Sequence, residues 1–102
     1  MGRSAEMEFL VEIEVNWPPD GDPTQHAALV EAEAVRADEL AVAGHIVRLW
    51  RTPGRRANVG VWSAADADEL HRALTSLPFF PWLDIRVRAL AHHPSDPQRT
   101  LL

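Results

Sequence analysis

A carboxylate and an imidazole share one side of a helical stretch in this chain, and both are groups that move protons. On a wheel of about 100° per residue centred on Leu29, Glu33 falls at about 40° and His26 at about 60°. Leu40, Ala32, Arg36 and Ala43 fall within about 60° of the same centre, while Glu31, Asp38 and Glu39 take the solvent side. Charged groups on the apolar side of a helix need a partner or a cavity. Two readings are open. Glu33 and Arg36, three residues apart, form a salt bridge at the helix rim. Alternatively, the space under the helix is a pocket and Glu33 is a base inside it, its pKa raised by burial, with His26 as the next candidate.

All 10 basic residues are arginine, and the chain has no cysteine. Lysine-base and Schiff-base chemistry, a cysteine nucleophile, disulfides and thiolate metal sites are therefore excluded. Carboxylate, histidine and arginine remain as working groups. Arg48 and Arg51 lie in one β-type run and point to opposite faces, so at most one of them faces the helices. Asn58 follows a turn and is either an amide donor or a turn residue. His71 sits at the edge of an apolar stripe and reads first as a structural histidine. His92-His93-Pro94 superficially suggests a metal pair. Adjacent histidines on an extended chain do not converge on one point, and no carboxylate stands at ligand spacing, so no metal is expected.

The elements that must position these groups are marked by periodicity and by punctuation. Met7 to Trp17 alternates apolar and polar, with Leu10 the one exception, and reads as a half-buried strand ended by Pro18-Pro19-Asp20-Gly21. Asp22-Pro23-Thr24-Gln25 carries the signals of a helix start, with Asp22 as cap, Pro23 at the first helical position and Gln25 completing a capping box. Gly44 is the natural stop, which predicts a helix over about 23–43. His45–Thr52 and Ala57–Ser63 read as a hairpin around Pro53-Gly54-Arg55-Arg56. Asp66-Ala67-Asp68-Glu69 opens a second helix to about Ser76. Leu77 to Trp82 is an apolar loop containing two prolines, and Leu83–Leu90 alternates as a last strand. The order β-α-β-β-α-β with right-handed crossovers predicts a ferredoxin-like α+β fold, a four-stranded antiparallel sheet with both helices on one face. Residues 1–6 read as an extension, 7–90 as one domain and 91–102 as a tail without periodicity.

Length and composition set the outer bounds. One domain of 102 residues has a thin core. The four tryptophans and Phe79-Phe80 exceed what that core requires, which points to a pocket wall or a subunit interface. The net charge of −5 argues against a nucleic-acid partner. No apolar run is long enough to span a membrane, and the first six residues lack a signal-peptide core, so a cytoplasmic protein is expected.

Several short motifs in order resemble the muconolactone isomerase family from about Met7 to Ser95. They are Pro18-x-Asp20-x-Asp22-Pro23, Gly44 followed by Leu49-Trp50-Arg51, and Gly54-x-x-Ala57-Asn58. Glu69-Leu70-His71, Leu77-Pro78-x-Phe80-Pro81-x-x-Asp84-Ile85 and His93-Pro94-Ser95 follow. The resemblance implies small ferredoxin-like subunits in closed rings, typically decamers and at least dimers. It implies an enzyme that moves a double bond in muconolactone to give 3-oxoadipate enol-lactone, in the β-ketoadipate pathway of aromatic catabolism, with no metal or organic cofactor. Family members carry lysines in the first helix, where this chain has Val30 and Ala34, and the turn Arg55-Arg56 is more basic than the family pattern.

That chemistry needs a base reaching two carbons, a donor for a dienolate oxygen and a clamp for the free carboxylate of a small lactone. The residues offer Glu33 as the base, with His26 next, and Asn58 or His71 as the oxyanion donor; of these, Asn58 and His71 also carry the family motif. Arg51 is the clamp, since a guanidinium fork matches a carboxylate. Trp50, Arg36 and His93 complete the substrate-binding set, with His93-Pro94-Ser95 packed at a subunit boundary near the pocket mouth. The competing readings are a ferredoxin-like protein that only binds a small acid, an isomerase homologue with another substrate, and a cofactor-independent monooxygenase.

Overall fold

The computed structural model describes residues 6–98. Residues 1–5 of the expected extension 1–6 and residues 99–102 of the expected tail lie outside the described residues. Six elements follow in the expected order: β1 (Met7–Val15), α1 (Pro23–Val42), β2 (Ile46–Arg51), β3 (Ala57–Ala64), α2 (Ala67–Thr75) and β4 (Leu83–Leu90). The sheet order is β2-β3-β1-β4, with antiparallel neighbours throughout, which is the ferredoxin-like arrangement.

Alternation decides which face becomes the core. In β1, Phe9, Val11 and Ile13 are buried, and their register partners Trp62, Gly60 and Asn58 lie on the same side of β3. Leu40 of α1 and Leu70, Ala73 and Leu74 of α2 join that one cluster, so both helices cover the same face. Trp62 is its largest fully buried side chain. The inward stripe of α1 runs His26, Leu29, Glu33, Arg36 and Leu40 at steps of three or four, with Ala37 beside Arg36. Ala32 and Ala43 fall on its flanks and are exposed, contrary to the wheel centred on Leu29.

The caps form where expected, with adjusted partners. Asp22 accepts from the Thr24 N–H at 3.2 Å, and Gln25 adds no return bond. At α2, Asp66 accepts from the Glu69 N–H at 2.8 Å, and Glu69 reaches back one residue further than a capping box requires, to the Ala65 N–H at 2.6 Å. Gly44, at φ 91°, ends α1: the Gly44 N–H bonds Ala41 O, and the His45 N–H bonds Leu40 O, a Schellman closure. The hairpin turns on Pro53-Gly54, where Gly54 at φ 75° supplies the positive dihedral of a type II turn.

Two expectations about boundaries change. β1 ends at Val15 rather than Trp17: the Asn16 N–H still bonds Trp82 O, but the chain opposite leaves the sheet there in the turn Phe80–Trp82 and Trp17 turns toward His26 and Phe79. The loop after α2 contains a short 3-10 turn at Phe80–Trp82. Leu40, 2% exposed, is the one fully buried residue of α1. Leu40→Ala should cost about 2–5 kcal/mol, read as a lower urea midpoint at unchanged slope.

Candidate active site

The termini of six elements meet at one end of the sheet. β1 and β2 run toward it, β3 and β4 start from it, α1 begins there and α2 ends there. Trp17, His26, Phe79 and Trp82 form an aromatic cluster at this end. Trp17 lies 5.2 Å from His26 and 4.8 Å from Trp82 between ring centroids, and His26 lies 5.7 Å from Phe79. Gly21 is part of the fit. A β-carbon there would stand 2.5 Å from the Trp17 indole, so only glycine lets the ring close down.

Glu33 reaches the same cluster from the third turn of α1. It is half-buried, and its Oε1 accepts the Phe79 N–H at 3.0 Å. The salt bridge to Arg36 allowed by their spacing does not form. Arg36 instead donates from Nε to Ser76 Oγ at 2.9 Å and from Nη1 to Glu39 at 2.9 Å. The reason is energetic. Phe79 is buried, and a buried N–H left unbonded costs about 1–3 kcal/mol, whereas a rim ion pair contributes a few tenths. Burial pushes the Glu33 pKa up, and the Phe79 N–H, which favours the charged form, works against it without cancelling it.

The sheet contributes the second group. Asn58 pairs with Ile13 on one side and Arg51 on the other, so Asn58 and Arg51 share the helix-facing side. Asn58 is thus a strand residue rather than a turn residue, and its Oδ1 is buried without a hydrogen bond. Asn58 and Ile13 also border a groove that wraps the sheet end to Glu12, Glu14, Asp84 and Arg86. Arg55 is held to Glu14 at 2.6 Å, and this bond keeps the exposed Glu14 carboxyl below its usual range.

Other expected members lie elsewhere. Trp50 pairs with Val59 and faces the uncovered side of the sheet, where the Arg48 guanidinium sits 4.6 Å from its ring centroid. Within one chain it is therefore separated from Arg51 by the sheet. His71 is exposed on α2, because Leu70, Ala73 and Leu74 take the buried stripe and leave it outside. It stands eight residues before Phe79 and joins none of these contacts. His93 is exposed in the tail, where its Nδ1 accepts the Ser95 N–H at 2.9 Å. Arg36 is occupied by Ser76 and Glu39 rather than turned to a ligand. The cluster of Trp17, Phe79 and Trp82 draws on the tryptophans and Phe79-Phe80 expected to line a pocket or an interface, although the sequence assigns none of the three a role of its own. Its signal was available in the proline-punctuated aromatic segments at both ends of the helical layer.

A half-buried carboxylate beside aromatic rings, at the open end of a ferredoxin-like layer, defines a small α+β domain equipped for general acid–base chemistry. The family model described as muconolactone delta-isomerase matches residues 7–96, and the chain belongs to that family of isomerases. It is 40% identical over 90 residues to Muconolactone Delta-isomerase 2 of Acinetobacter lwoffii, covering 88% of this chain and 94% of that one. Identity to the Muconolactone Delta-isomerase of Pseudomonas aeruginosa is 38% over 90 residues, with the same coverage of 88% and 94%. A solved crystal structure of muconolactone isomerase superimposes with a TM-score of 0.86 at 36% identity, covering 92% of this chain and 98% of the other.

The raised Glu33 pKa has a consequence for stability. A carboxyl with a higher pKa in the folded than the unfolded chain stabilises the fold at low pH and loses that contribution as pH rises through its folded pKa. Glu33→Gln keeps an acceptor for the Phe79 N–H but cannot ionise. Its unfolding free energy relative to wild type should therefore rise as pH climbs from below the ordinary carboxylate range to neutrality. Urea titrations of both proteins across that range measure the difference, and a flat difference would refute the assignment.

Proposed function

We propose that the chain isomerises muconolactone to 3-oxoadipate enol-lactone, with Glu33 as the group that removes and returns the proton. The observation that carries this reading is the Glu33 carboxylate itself, half-buried, raised in pKa and bonded only through Oε1 to the Phe79 N–H. Oε2 is the oxygen left for substrate. It takes the proton from the lactone's γ carbon, and the electron pair moves through the ring to the carbonyl oxygen as a dienolate. The same carboxyl then returns a proton to the α carbon, so the double bond has moved and no atom has been lost. The names of the relatives, at 38–40% identity, support the substrate.

Asn58, on the helix-facing side, suits the developing oxyanion through the donors of its Nδ2 amide group. Arg51, its register partner, suits the substrate's carboxylate. His26, packed on Trp17 and Phe79, is the alternate proton carrier. Glu33→Gln should lower kcat by about 10²–10⁴-fold in a folded protein, followed by ultraviolet absorbance with muconolactone. A loss below about tenfold would move the assignment to His26. A second reading, a protein that binds a small acid without turning it over, draws on the absence of lysine from α1, where Val30 and Ala34 stand. Wild type binding muconolactone with no change in absorbance would favour it.

The same proposal includes a closed homo-oligomer, at least a dimer and by resemblance a decamer. Both edge strands leave large apolar side chains open. Leu49 is 47% exposed, Trp50 45%, Val87 47% and Leu90 40%. A closed assembly covers such surface. On the uncovered sheet face the register sets Glu12 of β1 against Arg86 of β4, Leu10 against Arg88 and Glu8 against Leu90. Light scattering should give a particle several times the chain mass of 11.4 kDa, and a monomer at micromolar concentration would refute the assembly. Among the described residues no helix is long and apolar enough to cross a membrane. A chain without cysteine requires no oxidising compartment, and the cytoplasm is the proposed location.

A further inference from the structure

We infer that Arg36 and Ser76 are a positioning pair that holds the Glu33 carboxylate in place by fixing the segment that carries the Phe79 N–H. The inference rests on the reading of Glu33 as the proton-transfer group. Its basis is a two-rung ladder. Glu33 and Arg36, three residues apart on α1, face Phe79 and Ser76, three residues apart where the chain leaves α2. One rung is Phe79 N–H to Glu33 Oε1 at 3.0 Å, and the other is Arg36 Nε–H to Ser76 Oγ at 2.9 Å.

The second rung is anchored at both ends. Ser76 Oγ donates to Ala73 O at 2.6 Å, which turns its free lone pair toward Arg36. Arg36 Nη1 donates to Glu39 at 2.9 Å, which holds the guanidinium plane from the other side. Among the described residues, these rungs are the hydrogen bonds that tie α1 to the segment after α2. Leu77 turns its N–H back to Leu74 O, and Pro78 has none to give. Between rungs Leu77 bonds only within its own segment, through its N–H to Leu74 O and its O from the Phe80 N–H, so on the α1 side Ser76 is the point from which Phe79 is aimed.

The charges near Glu33 do not offer an alternative restraint. On α1 they are His26, packed on Trp17 and Phe79, and Arg36, bonded elsewhere. Leu77 to Trp82 contains no ionisable side chain, and Arg51 faces the helices from β2. Only burial and the Phe79 N–H act on the carboxyl. When the second rung is lost, the first loosens, and the charged carboxylate loses its donor in a half-buried place. Its affinity for a proton then increases, and the reacting oxygen is less well placed.

The test uses the full chain with Ser76→Ala, which removes the acceptor, and Ser76→Cys, which keeps the volume but weakens it. Ser76→Thr restores a hydroxyl. The first readout is the carboxyl-carbon titration of Glu33, its resonance identified by its loss in Glu33→Gln. The midpoint should move up by about half a unit or more in Ser76→Ala and Ser76→Cys and return toward wild type in Ser76→Thr. With muconolactone, kcat should fall by about tenfold at nearly constant KM, with the acid limb of the pH profile moved upward by the same amount. An unchanged midpoint in folded Ser76→Ala or Ser76→Cys would overturn the inference. So would an equal shift in Ser76→Thr, which would show general loosening. Because the titration needs no turnover, it reads the ladder even if wild type proves inactive, a result that would count against the isomerase reading alone.

Discussion

The peptide N–H of Phe79 is buried where the backbone has no acceptor to offer it. Leu77 has closed its turn back to Leu74, Pro78 interrupts the series, and Phe80 begins the next turn on Leu77 O. A side chain must supply the missing oxygen, and Glu33 does. This one bond draws a carboxylate into the inward stripe of α1 and sets it among aromatic rings. A need of the fold and a need of acid–base chemistry are thus met by the same atom pair. Glutamine at that position would satisfy the first need and not the second.

The one-sided sheet explains why the site lies at an end. Both helices bury the face that carries Phe9, Val11, Ile13 and Trp62, and Leu40 and Leu74 close its middle. Past those contacts the layer opens, and the first turn of α1 and the chain leaving α2 stand over the sheet's end. Residues there are held by neighbours yet remain reachable. Asn58 and Arg51 come from adjacent strands whose register fixes their spacing to within the stiffness of a hydrogen-bonded ladder. A pair carried by strands is a more rigid platform than a pair carried by loops.

Most of the architecture was readable from the chain. Alternation located β1 and β4, and Asp22, Asp66 and Gly44 placed the helix ends, because each is a local rule about backbone bonding. The site was readable in part. The helical wheel correctly put His26, Glu33 and Arg36 on the inward side but could not choose their partners. A spacing of three suggested a Glu33–Arg36 bond, and tertiary neighbours 40 and 46 residues away claimed both groups instead. Alternation separated Arg48 from Arg51, yet assigning Trp50 to the uncovered face required the register and the irregularity between Ile46 and Arg48. His71 shows the limit of a motif. Its neighbour Leu70 belongs to the buried stripe, so the histidine turns outward.

Asn58 leaves a buried oxygen without a donor, and such an atom weighs against the folded state for as long as it stays unmatched. An apolar residue of similar size there would relieve that cost. Selection for heat resistance alone would therefore discard this asparagine, while selection for a polar contact on the helix-facing side would keep it. The position works as a recorder of what the lineage has been selected for. Asparagine retained in heat-adapted relatives would mean that the contact is worth more to the organism than the stability it forgoes.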